Sequence, residues 1–80
     1  EGVAGQIQVS PNPVQDVLSF TLPSSISSVK VMNALGQVMI EKNNVSETLK
    51  IDFSALATGT YMVVLLDKNS GAIVRKVQKY

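Results

Sequence analysis

The stretch that most constrains this chain is Ile51-Asp52-Phe53-Ser54-Ala55-Leu56-Ala57-Thr58-Gly59-Thr60-Tyr61. An alternating run, Thr48-Leu49-Lys50-Ile51-Asp52, leads into it, and the apolar run Thr60-Tyr61-Met62-Val63-Val64-Leu65-Leu66 leads out. Strict alternation marks a half-buried strand, so the residues between are a corner joining two strands. Leu56, then Gly59, then Tyr61 is the order needed at the arch between the two sheets of a Greek-key sandwich. Leu56 closes the core from below, and Gly59 takes a backbone angle that a Cβ would penalise. Tyr61 stands close enough to return its hydroxyl to a backbone group of the arch, which is the geometry of a tyrosine corner.

The rest of the chain supplies strands to either side. Residues 1–5 carry two glycines and no pattern, and read as the end of a linker from something larger upstream, leaving residues 6–80 as the domain. Gln6-Ile7-Gln8-Val9-Ser10 alternates and stops at Pro11-Asn12-Pro13. Neither proline can donate to a ladder, and Asn12 is held extended by the proline after it, so this segment leaves one sheet for the other. Val17-Leu18-Ser19-Phe20-Thr21-Leu22 is the second strand, with Leu18, Phe20 and Leu22 inward. Ser24-Ser25-Ile26-Ser27-Ser28 reads as a loop around a buried Ile26, because serine hydroxyls bond readily to nearby backbone. Val29-Lys30-Val31-Met32 and Gln37-Val38-Met39-Ile40-Glu41 flank Asn33-Ala34-Leu35-Gly36, a hairpin in which Gly36 supplies the positive φ. The run from Thr60 to Leu66 is apolar on both faces and is expected at the centre of a sheet, covered on both sides. Asp67-Lys68-Asn69-Ser70-Gly71 is the last hairpin turn. In the final strand, over 72–79, Ile73 and Val77 share a face with Arg75, which points to an edge position or a bulge. The expected architecture is all-β: seven antiparallel strands in a Greek-key sandwich with no helix.

Composition narrows the chemistry. Among 80 residues there is no cysteine and no histidine, so disulfides, thiolate metal sites and the usual general base are absent. A net charge of +1 argues against an electrostatic nucleic-acid binder. No apolar run approaches the ~20 residues of a membrane helix. A chain of this length hides only roughly 60–65% of its unfolded surface, so the core is thin.

Four segments together resemble the C-terminal sorting domain (type A) of the Bacteroidetes type IX secretion system. They are Val9-Ser10-Pro11-Asn12-Pro13 followed by Val17-Leu18, the hairpin Val29-Lys30-Val31-Met32-Asn33-Ala34-Leu35-Gly36-Gln37-Val38, the corner with Leu56, Gly59 and Tyr61, and the basic end Arg75-Lys76-Val77-Gln78-Lys79-Tyr80. Ser10, Phe53 and Ala57 depart mildly from the family pattern. The resemblance implies an immunoglobulin-like β-sandwich that carries an upstream cargo protein, in cis, across the outer membrane. It implies engagement of the outer-membrane translocation machinery and a sortase-like signal peptidase, removal of the domain after export, and a cargo released outside or attached to surface lipopolysaccharide. No cofactor, catalytic residue or nucleic-acid partner is expected.

The remaining candidates have two readings each. An enzyme without His or Cys would need a serine with a lysine base in a buried pair, and the lysines are expected to alternate outward. Asp67-Lys68-Asn69-Ser70-Gly71 lacks the ligands of a calcium loop and is a turn. The basic end, with Arg75, Lys76, Val77, Lys79 and Tyr80, is either an edge strand protected by charge or a recognition surface read by strand addition; an edge strand there also offers weak self-association. Pro11, Asn12 and Pro13 are a strand switch rather than a receptor contact. The competing function is a surface-displayed adhesive or carbohydrate-binding module of similar fold, which would need exposed aromatics; Phe20, Phe53 and Tyr61 are expected at core or corner positions.

Overall fold

A computed structural model of the chain describes residues 7–10, 14–69 and 71–80. Pro11-Asn12-Pro13, residues 1–6 and Ser70 lie outside the described residues, and with them the expectations placed on the strand switch and the linker. Seven strands are described: β1 (Gln8–Ser10), β2 (Val17–Thr21), β3 (Ile26–Met32), β4 (Val38–Asn43), β5 (Thr48–Asp52), β6 (Gly59–Asp67) and β7 (Gly71–Lys79). They form two antiparallel sheets, of order β1-β2-β5 and β4-β3-β6-β7. The chain crosses between sheets after β2, β4 and β5, so that β2 pairs with β5 and β3 with β6. In the constant-type immunoglobulin arrangement the fourth strand lies beside the fifth. Here the tight turn after Met32 returns β4 onto β3 instead.

The inner faces of both sheets meet in one core. Leu18, Phe20 and Ile51 come from the first sheet, and Val29, Val31, Val63, Leu65 and Val77 from the second, all buried. Apart from Ser28, which is buried beside Val29, their neighbours along each strand are less buried, as the period of two requires.

That period is broken near the start of β3, with consequence. Ile26 and Val29 are three residues apart, yet both are buried, which a regular strand forbids. Along β6 the partners advance by one residue, from Asp67 to Leu66, while along β3 they advance from Ile26 to Ser28. Ser27 is the extra residue of a β-bulge, which shifts the alternation by one. Its hydroxyl donates to the Leu66 carbonyl (3.2 Å) and its carbonyl accepts from the Asn44 amide (3.0 Å). The serine-rich stretch expected as a loop is therefore strand from Ile26 onward, and only Ser24 and Ser25 turn.

Two other expectations change. β6 is central as expected, but it is covered on one side only. Tyr61, Val63 and Leu65 are buried, whereas Met62 and Val64 are half-buried and Leu66 is exposed. Nor do all lysines point outward: Lys79 is 8% exposed, because it shares the inward face of β7 with Val77. β7 is an edge strand, as its mixed pattern suggested, and its register against β6 runs without a bulge.

Deleting Ser27 should leave Ile26 two residues from Val29, in strict alternation and still inward. The expected loss is limited to the Ser27 hydrogen bonds to the Leu66 carbonyl and the Asn44 amide, about 1 kcal/mol each, read as a slightly lower urea midpoint with unchanged slope.

Candidate recognition pole at one end of the sandwich

Antiparallel pairing sorts the connections to the two ends of the sandwich. The turns at Ser24-Ser25, Asn44–Glu47 and the β6–β7 hairpin gather at one end, tied together by Leu22 N–H to Glu47 O (2.7 Å) and Lys68 N–H to Ser25 O (2.9 Å). Asp67 organises that end. Its buried carboxylate accepts from the Ser25 hydroxyl and from the Asn69 amide (3.0 Å). The turn weighed as a calcium loop thus has its aspartate turned inward, clamping two turns. The sequence shows an aspartate at a hairpin turn but not which way it faces.

The other end collects the segments that carry the resemblance. Asn33 builds the β3–β4 turn almost alone: its Oδ1 accepts from the amides of Leu35 (2.9 Å) and Gln37 (3.0 Å), and its Nδ2 donates to Gln37 Oε1 (2.8 Å). Gly36, at φ +85°, closes the turn with its amide on Asn33 O (3.0 Å). A leucine is held out at the tip of this stiff turn: Leu35 is 84% exposed.

The corner faces that tip. Phe53 is fully buried and its amide donates to Asp16 O (2.7 Å), while the Leu56 amide donates to Phe53 O (2.9 Å). Leu56 is half-buried against the core. The Tyr61 hydroxyl donates to Ala57 O at 2.6 Å, and its ring meets Phe53 edge-on at 5.9 Å, a favoured aromatic geometry. Gly59 sits at φ +155° with open space where a Cβ would project, so it is the backbone angle that selects glycine. In the arch, then, the Tyr61 hydroxyl returns to a backbone carbonyl, Gly59 takes a positive φ and Leu56 packs half-buried against the core.

The end of β7 arrives at the same place. Lys79 pairs with Gly59, and Val14 adds a parallel bridge on the outer side, with Val14 N–H to Gln78 O (2.8 Å) and Tyr80 N–H to Val14 O (3.0 Å). Of the terminal candidates, Val77 and Lys79 are buried, Arg75 is half-buried, and Lys76 and Tyr80 are exposed. The Lys79 ammonium donates to the Tyr80 carbonyl (3.3 Å). Gly36, Leu56, Gly59, Tyr61, Lys79 and Tyr80 are thus brought to one pole, while Arg75 and Lys76 lie further along β7.

Between the hairpin tip and the arch is an open groove of about 340 Å³, bounded by Leu35 and Met39 on one side and by Ala55, Leu56 and Ala57 on the other. None of its lining residues is charged. Asp52 lies beside the arch. Its carboxyl is held below the usual aspartate value by hydrogen bonds from Ser54, the hydroxyl first and then the amide (2.8 Å). Among the described residues no cluster of three metal-ligating side chains exists. Phe20, Phe53 and Tyr61 are buried, so none of them forms the exposed aromatic platform that a carbohydrate-binding module would need.

Comparison with protein families matches residues 8–79 to the secretion system C-terminal sorting domain. The chain belongs to that family, the C-terminal sorting domains of type IX secretion. No curated protein matches the chain. Membership makes it a sorting signal of type IX secretion, a domain type that is in general non-catalytic, works with an upstream cargo in cis and leads to export.

Tyr61→Phe should cost about 1–2 kcal/mol by leaving the Ala57 carbonyl without its donor. Gly59→Val should cost more, up to about 3 kcal/mol, through strain at its φ. Denaturant midpoints read both. Ser54→Ala should raise the Asp52 pKa towards the ordinary value in a carboxyl NMR titration. Because the folded pKa is the lower one, the Asp52 contribution to stability is present above the unfolded value of 3.8 and is lost as pH falls through the folded value; Ser54→Ala, which keeps the amide donor, should reduce that part of the acid dependence.

Proposed function

We propose that this domain is read by the translocation machinery as a folded surface, centred on the pole where the hairpin tip, the arch and the end of β7 meet. The observation that carries this reading is that segments far apart in sequence, each resembling a stretch of the sorting-domain family, share one end of the sandwich. Leu35 and the uncharged groove supply apolar contact there. The terminal strand remains a second element of recognition, through its backbone and through Lys76 and Tyr80, with Arg75, Val77 and Lys79 holding it from beneath. Pro11, Asn12 and Pro13 act by directing the chain from β1 to Val14. Residues 1–5 are the end of a linker, and residues 6–80 are the signal for an upstream cargo. After passage through the outer membrane a sortase-like peptidase removes the domain, and the cargo is released or joined to surface lipopolysaccharide. The domain itself performs no chemistry and binds no cofactor.

The test is a fusion of residues 1–80 to the C-terminus of a periplasm-targeted reporter, in a host with the type IX machinery. The fusion should be exported. Leu35→Glu, which alters an exposed turn residue and should leave folding intact, should trap it in the periplasm, as should removal of residues 76–80. Export of Leu35→Glu at the parent level would remove the pole from the reading. Retention of the intact fusion, where an authentic sorting domain exports the same reporter, would remove the signal function.

A further inference from the structure

The outer face of the four-stranded sheet is apolar and nothing in the described chain covers it. Two cross-strand rows define it, Glu41–Lys30–Val64–Val74 and Val38–Met32–Met62–Lys76. Val74 is 51% exposed, Val38 50% and Leu66, one row beyond, 36%. Met32 and Met62 fill the centre beside the stem of Lys30 on β3, while Glu41 and Lys76 stand on opposite outer strands. Methionine is enriched at protein interfaces, and a lysine stem adds apolar cover while its charge reaches outward.

We propose that a second copy of this chain covers this face, in a two-fold, face-to-face pair whose axis runs parallel to the strands. The charges select both occupant and axis. Rotation about such an axis lays β7 of one copy over β4 of the other and keeps each row at its own height. Lys76 of each copy then lies across from Val38 of the other, one row from Glu41, about 7 Å along the strand and about 10 Å across the sheet gap. Both side chains are long enough to meet in that space, so the pair contains two equivalent Lys76–Glu41 contacts. In the centre Met32 lies over Met62, and Lys30 lays its methylenes over Val64 with its ammonium towards Glu41, its own ladder partner. An axis perpendicular to the strands would instead set β7 over β7 and Lys76 near Lys76, which like charge disfavours.

The edges of the same sheet are poorer routes to association. The end of β7 is already paired with Val14. β4 carries a register shift between Val38 and Ile40 that leaves Met39 unmatched, and bulges of this kind blunt an edge. The parallel axis also leaves both recognition poles free and on the same side of the pair, so two signals would be offered together.

Sedimentation of residues 1–80, from micromolar to about 1 mM, the range of weak interfaces, tests this. A reversible monomer–dimer equilibrium is expected, and Met62→Glu should weaken it at least about tenfold. Lys76→Glu and Glu41→Lys, each alone, place two like-charge contacts in the pair and should weaken it too. Mixed in equal amounts, the two variants form a heterodimer with both contacts of opposite sign, and association should return to the parent level. A parent chain that stays monomeric to about 1 mM overturns the proposal. So does a dimer indifferent to Met62→Glu, which would indicate edge pairing, or a mixture no tighter than either variant alone. Circular dichroism of each variant at low concentration establishes that it is folded. The mixing result decides even if Met62→Glu is not.

Discussion

The Tyr61 hydroxyl on the Ala57 carbonyl closes the crossing that brings β6 and β7 into the larger sheet. β5 belongs to the three-stranded sheet and β6 to the four-stranded one, so the chain must bend through residues 53–58, whose backbone groups lie outside both ladders. A carbonyl stranded there would cost about 1–3 kcal/mol. The tyrosine answers it from the third residue of β6, and the same ring seals against Phe53 at the start of the arch. Since β6 is hydrogen-bonded to both β3 and β7, the place where the arch ends sets the register of three strands. With no cysteine in the chain, nothing covalent holds that register if the corner loosens.

Residues with a single local role were legible in the sequence. Gly36, Gly59, Leu56 and Tyr61 stand where their chemistry leaves few alternatives, and the structure uses them so. What escaped was parity. Reading inward and outward faces by alternation assumes that each residue turns the next one over, and a bulge adds one turn that leaves no mark in composition. Ser27 is such a residue, and it made a strand look like a serine loop. Lys79 escaped for another reason. Its charge predicts exposure, but its long apolar stem lies on the inward face of β7 while the ammonium reaches only as far as the Tyr80 carbonyl.

The outer face of β6 was misread in an instructive way. Met62, Val64 and Leu66 were correctly seen as apolar, and burial on both sides was the inference that followed. An 80-residue chain has one core to build, and the three-stranded sheet already occupies the inner side of β6. Among the described residues no element covers the outer side. Apolar patterning reports that a surface is to be kept from water; it does not say by which chain.

The proposed recognition pole was not legible at all until topology was known, because its parts are a hairpin tip, an interstrand arch and a strand end. Antiparallel order brings alternate connections to the same end, so segments dozens of residues apart become neighbours without any local sign of it. In the proposed reading this has a mechanical consequence. A signal written along a continuous peptide survives unfolding, whereas one assembled from strand ends exists only while both sheets hold their register. The Asn33 network, the Tyr61 corner and the Val14 bridge each fix one part of the pole to the sandwich, so recognition at the pole is conditional on the same contacts that keep the domain folded.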